Sequence, residues 1–254
     1  MTNDDVRRYL EFYQDLGLKT LYRRDAPGQL ALGHNTPPSI DVNAREANLK
    51  PAPPSALVRS FEPVGDNLLK ILEDIGDCKR CRLHEGRNRI VFGTGAEQAR
   101  LVFVGEAPGA DEDAQGLPFV GRAGQLLTQM IEGTARKEGI PLRRSDVYIC
   151  NVVKCRPPEN RTPQPDEMEI CGQFLIRQLL AIRPKAICAL GSTATKAFFG
   201  ATEGVMRLRG KWQQWRDIQV MVTYHPSYLL RPYNQNAKKE AWEDLKKVLH
   251  YVYD

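Results

Sequence analysis

Four short runs of unbroken apolar residues restrict the fold of this chain more than any other feature. They are Leu101-Val-Phe-Val-Gly, Val147-Tyr-Ile-Cys-Asn-Val-Val, Lys185-Ala-Ile-Cys-Ala-Leu-Gly and Gln219-Val-Met-Val-Thr-Tyr-His. A strand with one wet face alternates apolar and polar side chains, so unbroken apolarity marks strands covered on both faces. Between the runs, apolar residues return at helical spacing: Leu126, Leu127, Met130, Ile131 and Ala135 within 124–137, then Met168, Cys171, Leu175 and Leu179 within 166–182. Further helices are expected over 193–199 and toward the C-terminus, where Ala241, Leu245, Val248 and Val252 share a stripe. This alternation predicts the α/β class, as a three-layer α/β/α sandwich around a four-stranded, mainly parallel sheet. Its active site should lie beyond the carboxyl ends of the strands.

The first quarter of the chain reads differently. Val6, Leu10, Tyr13, Leu16 and Leu21 give residues 1–24 an amphipathic helical pattern. Residues 25–63 carry Pro37-Pro38 and Pro53-Pro54 and little periodic apolar content, the composition of a flexible linker. A short helix from Asp66 to Ile75 should follow, which puts the folded domain at 64–254. With 254 residues, 42% of them hydrophobic, the chain can bury a good core. It has no apolar run long enough to span a bilayer, and its N-terminus lacks a signal-peptide pattern, so a cytoplasmic protein of bacterial or archaeal type is expected. The formal net charge of +5 suits a polyanion partner without requiring one.

Six cysteines in a reducing cytosol point to metal ligands or free thiols rather than disulfides. Cys78 and Cys81 form a C-x-x-C pair, and Cys155 and Cys171 flank a proline-rich run. Four thiolates gathered in one place would hold zinc or an iron–sulfur cluster, and spacing alone does not choose between them. Cys150 and Cys188 fall inside expected strands, where a cysteine acts as a small hydrophobe.

Each distinctive polar cluster lies just past one of the four runs. Gly105-Glu-Ala-Pro-Gly with Asp111-Glu112-Asp113 follows the first, Asn151-Val-Val-Lys-Cys-Arg-Pro-Pro the second, Gly191-Ser192 the third and His225-Pro-Ser-Tyr-Leu-Leu-Arg the fourth. Taken singly, each has a structural explanation as turn, solvated loop or strand terminator. Together they would line one crevice.

These segments, with Pro118-Phe119-Val120-Gly121, closely resemble the family 4, iron–sulfur type, uracil-DNA glycosylases, in the family's order, from about Leu69 to the C-terminus. The resemblance implies a [4Fe-4S] cluster on Cys78, Cys81, Cys155 and Cys171. It implies a DNA repair enzyme that flips uracil out of single- or double-stranded DNA and hydrolyses its N-glycosidic bond. Substrate contacts are then expected from Gly105, Glu106, Ala107, Phe119, Asn151 and His225, with Phe119 stacking on the base. A fixed Asn151 amide can donate to uracil O4 and accept from N3-H, whereas cytosine presents the reverse pair. His225 would donate to uracil O2 as charge develops there. Glu106 and Glu112 are the candidate acids or bases, because Ala107 stands where family 1 enzymes carry an aspartate. Leu229, Leu230 and Arg231 would form a wedge in the base stack. Ser192 and the N-H groups opening the helix after it would contact phosphate, as would Arg122, Lys154, Arg156 and Arg161.

Two other functions fit the same resemblance. One is a uracil-DNA binding protein without turnover; the other is a cluster-bearing, DNA-associated interaction module. Against the first, the segment from Asn151 to Cys171 lacks the basic, histidine-bearing insertion of relatives that hold uracil-DNA covalently. A monomer is expected, with any partner of the N-terminal helix unidentified.

Overall fold

The computed structural model describes residues 65–200, 202–231 and 234–254. The expected N-terminal helix and linker, 1–24 and 25–63, lie outside them. In chain order the main elements are α1 (Leu68–Ile75), β1 (Thr94–Gly95), β2 (Leu101–Gly105), α2 (Ala110–Gln115), α3 (Arg122–Lys137), β3 (Tyr148–Asn151), α4 (Pro165–Ile182), β4 (Ala186–Leu190), α5 (Gly191–Phe199), α6 (Val205–Leu208), β5 (Trp212–Trp215), β6 (Ile218–Thr223), α7 (Pro226–Leu229) and α8 (Gln235–Tyr253). Among the described residues no helix is long and apolar enough to cross a membrane.

The four apolar runs are the parallel centre of the sheet, in the order β3-β2-β4-β6. Among the described residues the sheet has six strands rather than four, because β1 and β5 add antiparallel edges. Both edges escape a search for buried runs: β1 has two residues, and β5 is Trp-Gln-Gln-Trp with only Trp215 buried. β5 turns into β6 through Arg216-Asp217, where Arg216 takes a positive φ of 51° and Trp215 pairs with Ile218.

Alternate side chains of each central strand feed two cores, as the period of two requires. Val102, Val104, Ile187 and Val220 pack with α1, α4 and α5; Leu101, Phe103, Cys188 and Met221 pack with α3 and α8. The result is the three-layer sandwich. Helix starts follow local chemistry: Asn67 Oδ1 caps α1 through Lys70 N-H at 2.8 Å, and Pro165 opens α4 with Glu167 closing a capping box. Asp111, Glu112 and Asp113, expected in a loop lining the crevice, lie within the helix α2. Asp113 is buried there and accepts from Asn88 N-H and Nδ2.

Candidate functional site

Loops leaving the carboxyl ends of β2, β3 and β6 meet around a cavity of about 220 Å³. Glu106, Ala107 and Glu112 line it from the first loop and α2, Phe119 from the α2–α3 connection, Asn151 from the end of β3 and His225 from the turn after β6. The volume is below the roughly 300–1,000 Å³ of drug-sized sites and suits a fragment as small as one nucleobase.

Gly105 lets the wall close. It pairs in register with Asn151, and a Cβ on it would lie 2.5 Å from both Asn151 Oδ1 and Phe119 Cζ. Pairing continues past the strands, with Val152 N-H donating to Gly105 O and Val153 N-H to Glu106 O, so the two loops leave the sheet together. Asn151 is 1% exposed, and its Oδ1 is buried with no partner among the described residues. An orphaned acceptor costs about 1–3 kcal/mol and is a place for a ligand's N-H.

Phe119 sits in the left-handed region at φ 54°, which costs about 1–2 kcal/mol for a residue with a Cβ. The surroundings hold it there. Glu112 accepts from Val120 and Gly121 N-H, both at 2.9 Å, and from Gly109 N-H at 3.1 Å. Arg144, unremarked in the sequence, donates to Pro118 O at 2.8 Å. Both Glu112 oxygens are therefore committed to backbone, as a candidate acid or base would not be. Phe119 and the imidazole of His225 lie 5.6 Å apart, tilted by 35°.

His225 Nδ1 accepts from Ser227 N-H at 3.2 Å and lies 2.8 Å from Ser227 Oγ. With Nδ1 accepting, the neutral ring carries its proton on Nε2. The ring edge is reachable from the cavity, yet protein crowds it elsewhere. Desolvation holds its pKa down to about 4, against the opposing pull of the Glu112 carboxylate. The ring is neutral at pH 7. Glu106 Oε2 accepts from Thr193 Oγ1; among the described residues no donor reaches Oε1.

The four predicted ligand cysteines lie on the segment after α1, the loop after β3 and α4. Cys78 and Cys81 are half-buried, Cys155 and Cys171 buried. No three His, Cys, Asp or Glu side chains among the described residues are close enough to share one metal ion. The sulfurs nevertheless lie within electrostatic reach of one another: burial raises the thiol pKa values of Cys81, Cys155 and Cys171, the last to about 12, and neighbouring cysteines add to each shift. Four thiols on three segments are the donor set of a thiophilic centre, zinc or an iron–sulfur cluster. Two N-H groups already point at sulfur, from Lys154 N to Cys171 Sγ at 3.2 Å and from Arg87 Nη1 to Cys155 Sγ at 3.5 Å. Cys150 and Cys188 are buried in β3 and β4, as read from sequence.

Other expected contacts fall elsewhere. Lys154 is fully buried and donates to Asn151 O at 2.8 Å and Gln178 Oε1 at 2.6 Å, so it cannot meet a phosphate. Arg161 lines the cavity but is held bidentate by Glu167 at 2.7 and 2.8 Å. Leu229 is buried against Ala237 and Ala241 and is not available as a wedge. Its alternation with exposed neighbours on a one-turn helix could not be read from Leu-Leu-Arg. Tyr228 and Arg231 are exposed, with the Arg231 guanidinium over the Tyr228 ring, Leu230 is half-buried, and Ser192 is exposed at the start of α5.

The family model of the uracil DNA glycosylase superfamily matches residues 92–246. The type-4 uracil-DNA glycosylase of Thermotoga maritima is 45% identical over 190 residues, which is 74% of this chain and 96% of that protein. The type-4 uracil-DNA glycosylase of Archaeoglobus fulgidus is 44% identical over 191 residues, 72% of this chain and 92% of that protein. A type-5 uracil-DNA glycosylase of Pyrobaculum aerophilum is 33% identical over 165 residues, 59% of this chain and 70% of that protein.

Proposed function

The chain belongs to the uracil-DNA glycosylase superfamily, and we infer that it is a DNA repair hydrolase that excises uracil from DNA, leaving an abasic site. The observation that carries the reading is the orphaned Asn151 Oδ1 at the wall of a base-sized cavity. Uracil N3-H supplies the missing donor, and the amide NH₂ meets O4; cytosine offers neither. Phe119 supplies a face for stacking on the flipped ring, which leaves the duplex at a cost of a few kcal/mol.

In the reaction, water oxygen forms a bond to C1′ while the C1′–N1 bond breaks and its electron pair leaves with uracil. The Nε2-H of neutral His225 donates to O2 as that charge develops, an effect of about 3–4 kcal/mol. Glu106, with Oε1 free of protein donors, orients the water and takes its proton. Glu112 shapes the wall. Tyr228, Leu230 and Arg231 face the DNA and fill the gap in the stack; Ser192 and the start of α5 take a phosphate.

Cys78, Cys81, Cys155 and Cys171 hold a [4Fe-4S] cluster. When bound it serves as a cross-link between the segment after α1, the loop after β3 and α4, which braces Asn151 four residues before Cys155. Domain 64–254 carries the activity, as a cytoplasmic monomer acting on single- or double-stranded uracil-DNA.

A released-base assay on uracil-, thymine- and cytosine-containing oligonucleotides separates turnover from binding alone. His225→Ala lowers single-turnover uracil release by about 10²- to 10³-fold with affinity nearly unchanged; full rate in that variant would move the charge stabilisation elsewhere. Iron content checks the cluster. Cys171→Ala loses iron and Cys188→Ala keeps it, and equal loss in both would refute the ligand set.

A further inference from the structure

Thr193 lines no part of the cavity, and the sequence marks only its backbone N-H, at the start of a helix, and not its side chain. It is buried on the first turn of α5, and its hydroxyl donates to the Glu106 carboxylate, a residue 87 positions earlier on the loop after β2. A threonine in a helix usually returns its hydroxyl to the backbone of its own turn, as Thr195 does here to Gly191 O at 2.8 Å. Thr193 instead reaches across to another element. The helix start is pressed against the site by its geometry: Gly191 has φ +83°, and a Cβ there would lie 2.8 Å from His225 Cβ. The corner between β4 and α5 thus backs Glu106 and His225 from outside the cavity.

We propose that Thr193 is a positioning residue for hydrolysis: by holding Oε2 of Glu106 it fixes the carboxylate so that Oε1 faces the substrate and orients the attacking water. The inference rests on the reading of Glu106 given above. Thr193→Val keeps the volume and removes the donor. It should lower the single-turnover rate at saturating enzyme about tenfold, the equivalent of one well-placed hydrogen bond, while the enzyme concentration for half-maximal rate stays unchanged. Thr193→Ser should restore the rate. In a Glu106→Gln background, which should itself be slow, Thr193→Val should add nothing. A Thr193→Val enzyme with full rate beside an impaired Glu106→Gln enzyme overturns the role of Thr193 and leaves that of Glu106 standing. An equal loss in both backgrounds, unrescued by serine, reduces Thr193 to packing. Full rate in Glu106→Gln overturns the reading of Glu106, and the inference with it.

Discussion

The cavity wall and the cysteine corner share the loop after β3 and treat polar groups in opposite ways. On the segments that carry the cysteines, charges pair across elements: Arg82 bonds Asp166, Arg161 holds Glu167 bidentate, Arg87 bonds Asp77 at 2.5 Å, and Arg177 pairs with Asp66 and Asp74. At the cavity wall, Asn151 Oδ1 has no partner, Phe119 is held at a costly φ, and His225 is kept neutral. A corner whose groups are saturated can only hold its shape. A wall with an unspent acceptor has something to offer a ligand, and its strain at Phe119 is held by Glu112 and Arg144.

The sharpest break of this contrast is at Asn151. Replacing it with Asp keeps the shape but sets a carboxylate against uracil O4, and a site built to read a hydrogen-bond pair then rejects its substrate. Asn151→Asp should lose roughly 10³-fold or more in uracil release, with thermal stability close to that of the native chain. The uracil-to-cytosine ratio in the released-base assay should collapse as well. Normal uracil release would mean that the orphaned oxygen is not the reader.

The saturated corner should respond the other way. Glu167 is fully buried and binds Arg161, Gln164 N-H and, at 3.5 Å, Arg82. Glu167→Gln leaves the partly exposed Arg161 guanidinium without its anion, while Arg82 keeps Asp166, and should cost about 1–3 kcal/mol of stability. Uracil release should stay within a few-fold. A large rate loss with unchanged stability would erase the distinction between the two regions.

What the sequence disclosed follows the same division. The parallel strands were legible because burial on both faces leaves an unbroken apolar run, and the site loops because Gly105, Asn151 and His225 end such runs. The supports were not. Arg144, Thr193 and the acceptors around Glu112 act through backbone groups or distant residues, and a hydroxyl or guanidinium in a helical stretch carries no mark of its partner. Lys154 was misread for the same reason: a lysine beside Cys155 looks like a surface cation, and only the fold shows it donating inward to Asn151 O. Edge strands β1 and β5 were missed because half-exposed or two-residue strands lack the apolar signature.

The smallest expected effect concerns His225 and pH. Burial moves its pKa from an ordinary 6.5 down to about 4 in the folded chain. Between those values the unfolded chain binds a proton that the folded chain refuses, so stability rises with pH across that window and is lost as pH falls through it. At 1.36 kcal/mol per unit the loss is no more than about 3 kcal/mol, reduced by the solvent that reaches the ring edge. Glutamine cannot take up that proton. Thermal melting at pH 7 and at pH 4.5 should therefore show a fall for the native chain that exceeds the fall for His225→Gln by a few degrees. Other groups titrate in the same window, but they do so in both proteins and cancel in the difference. Equal falls would mean that the ring is not desolvated, and its neutrality at pH 7 would then owe nothing to the cavity wall.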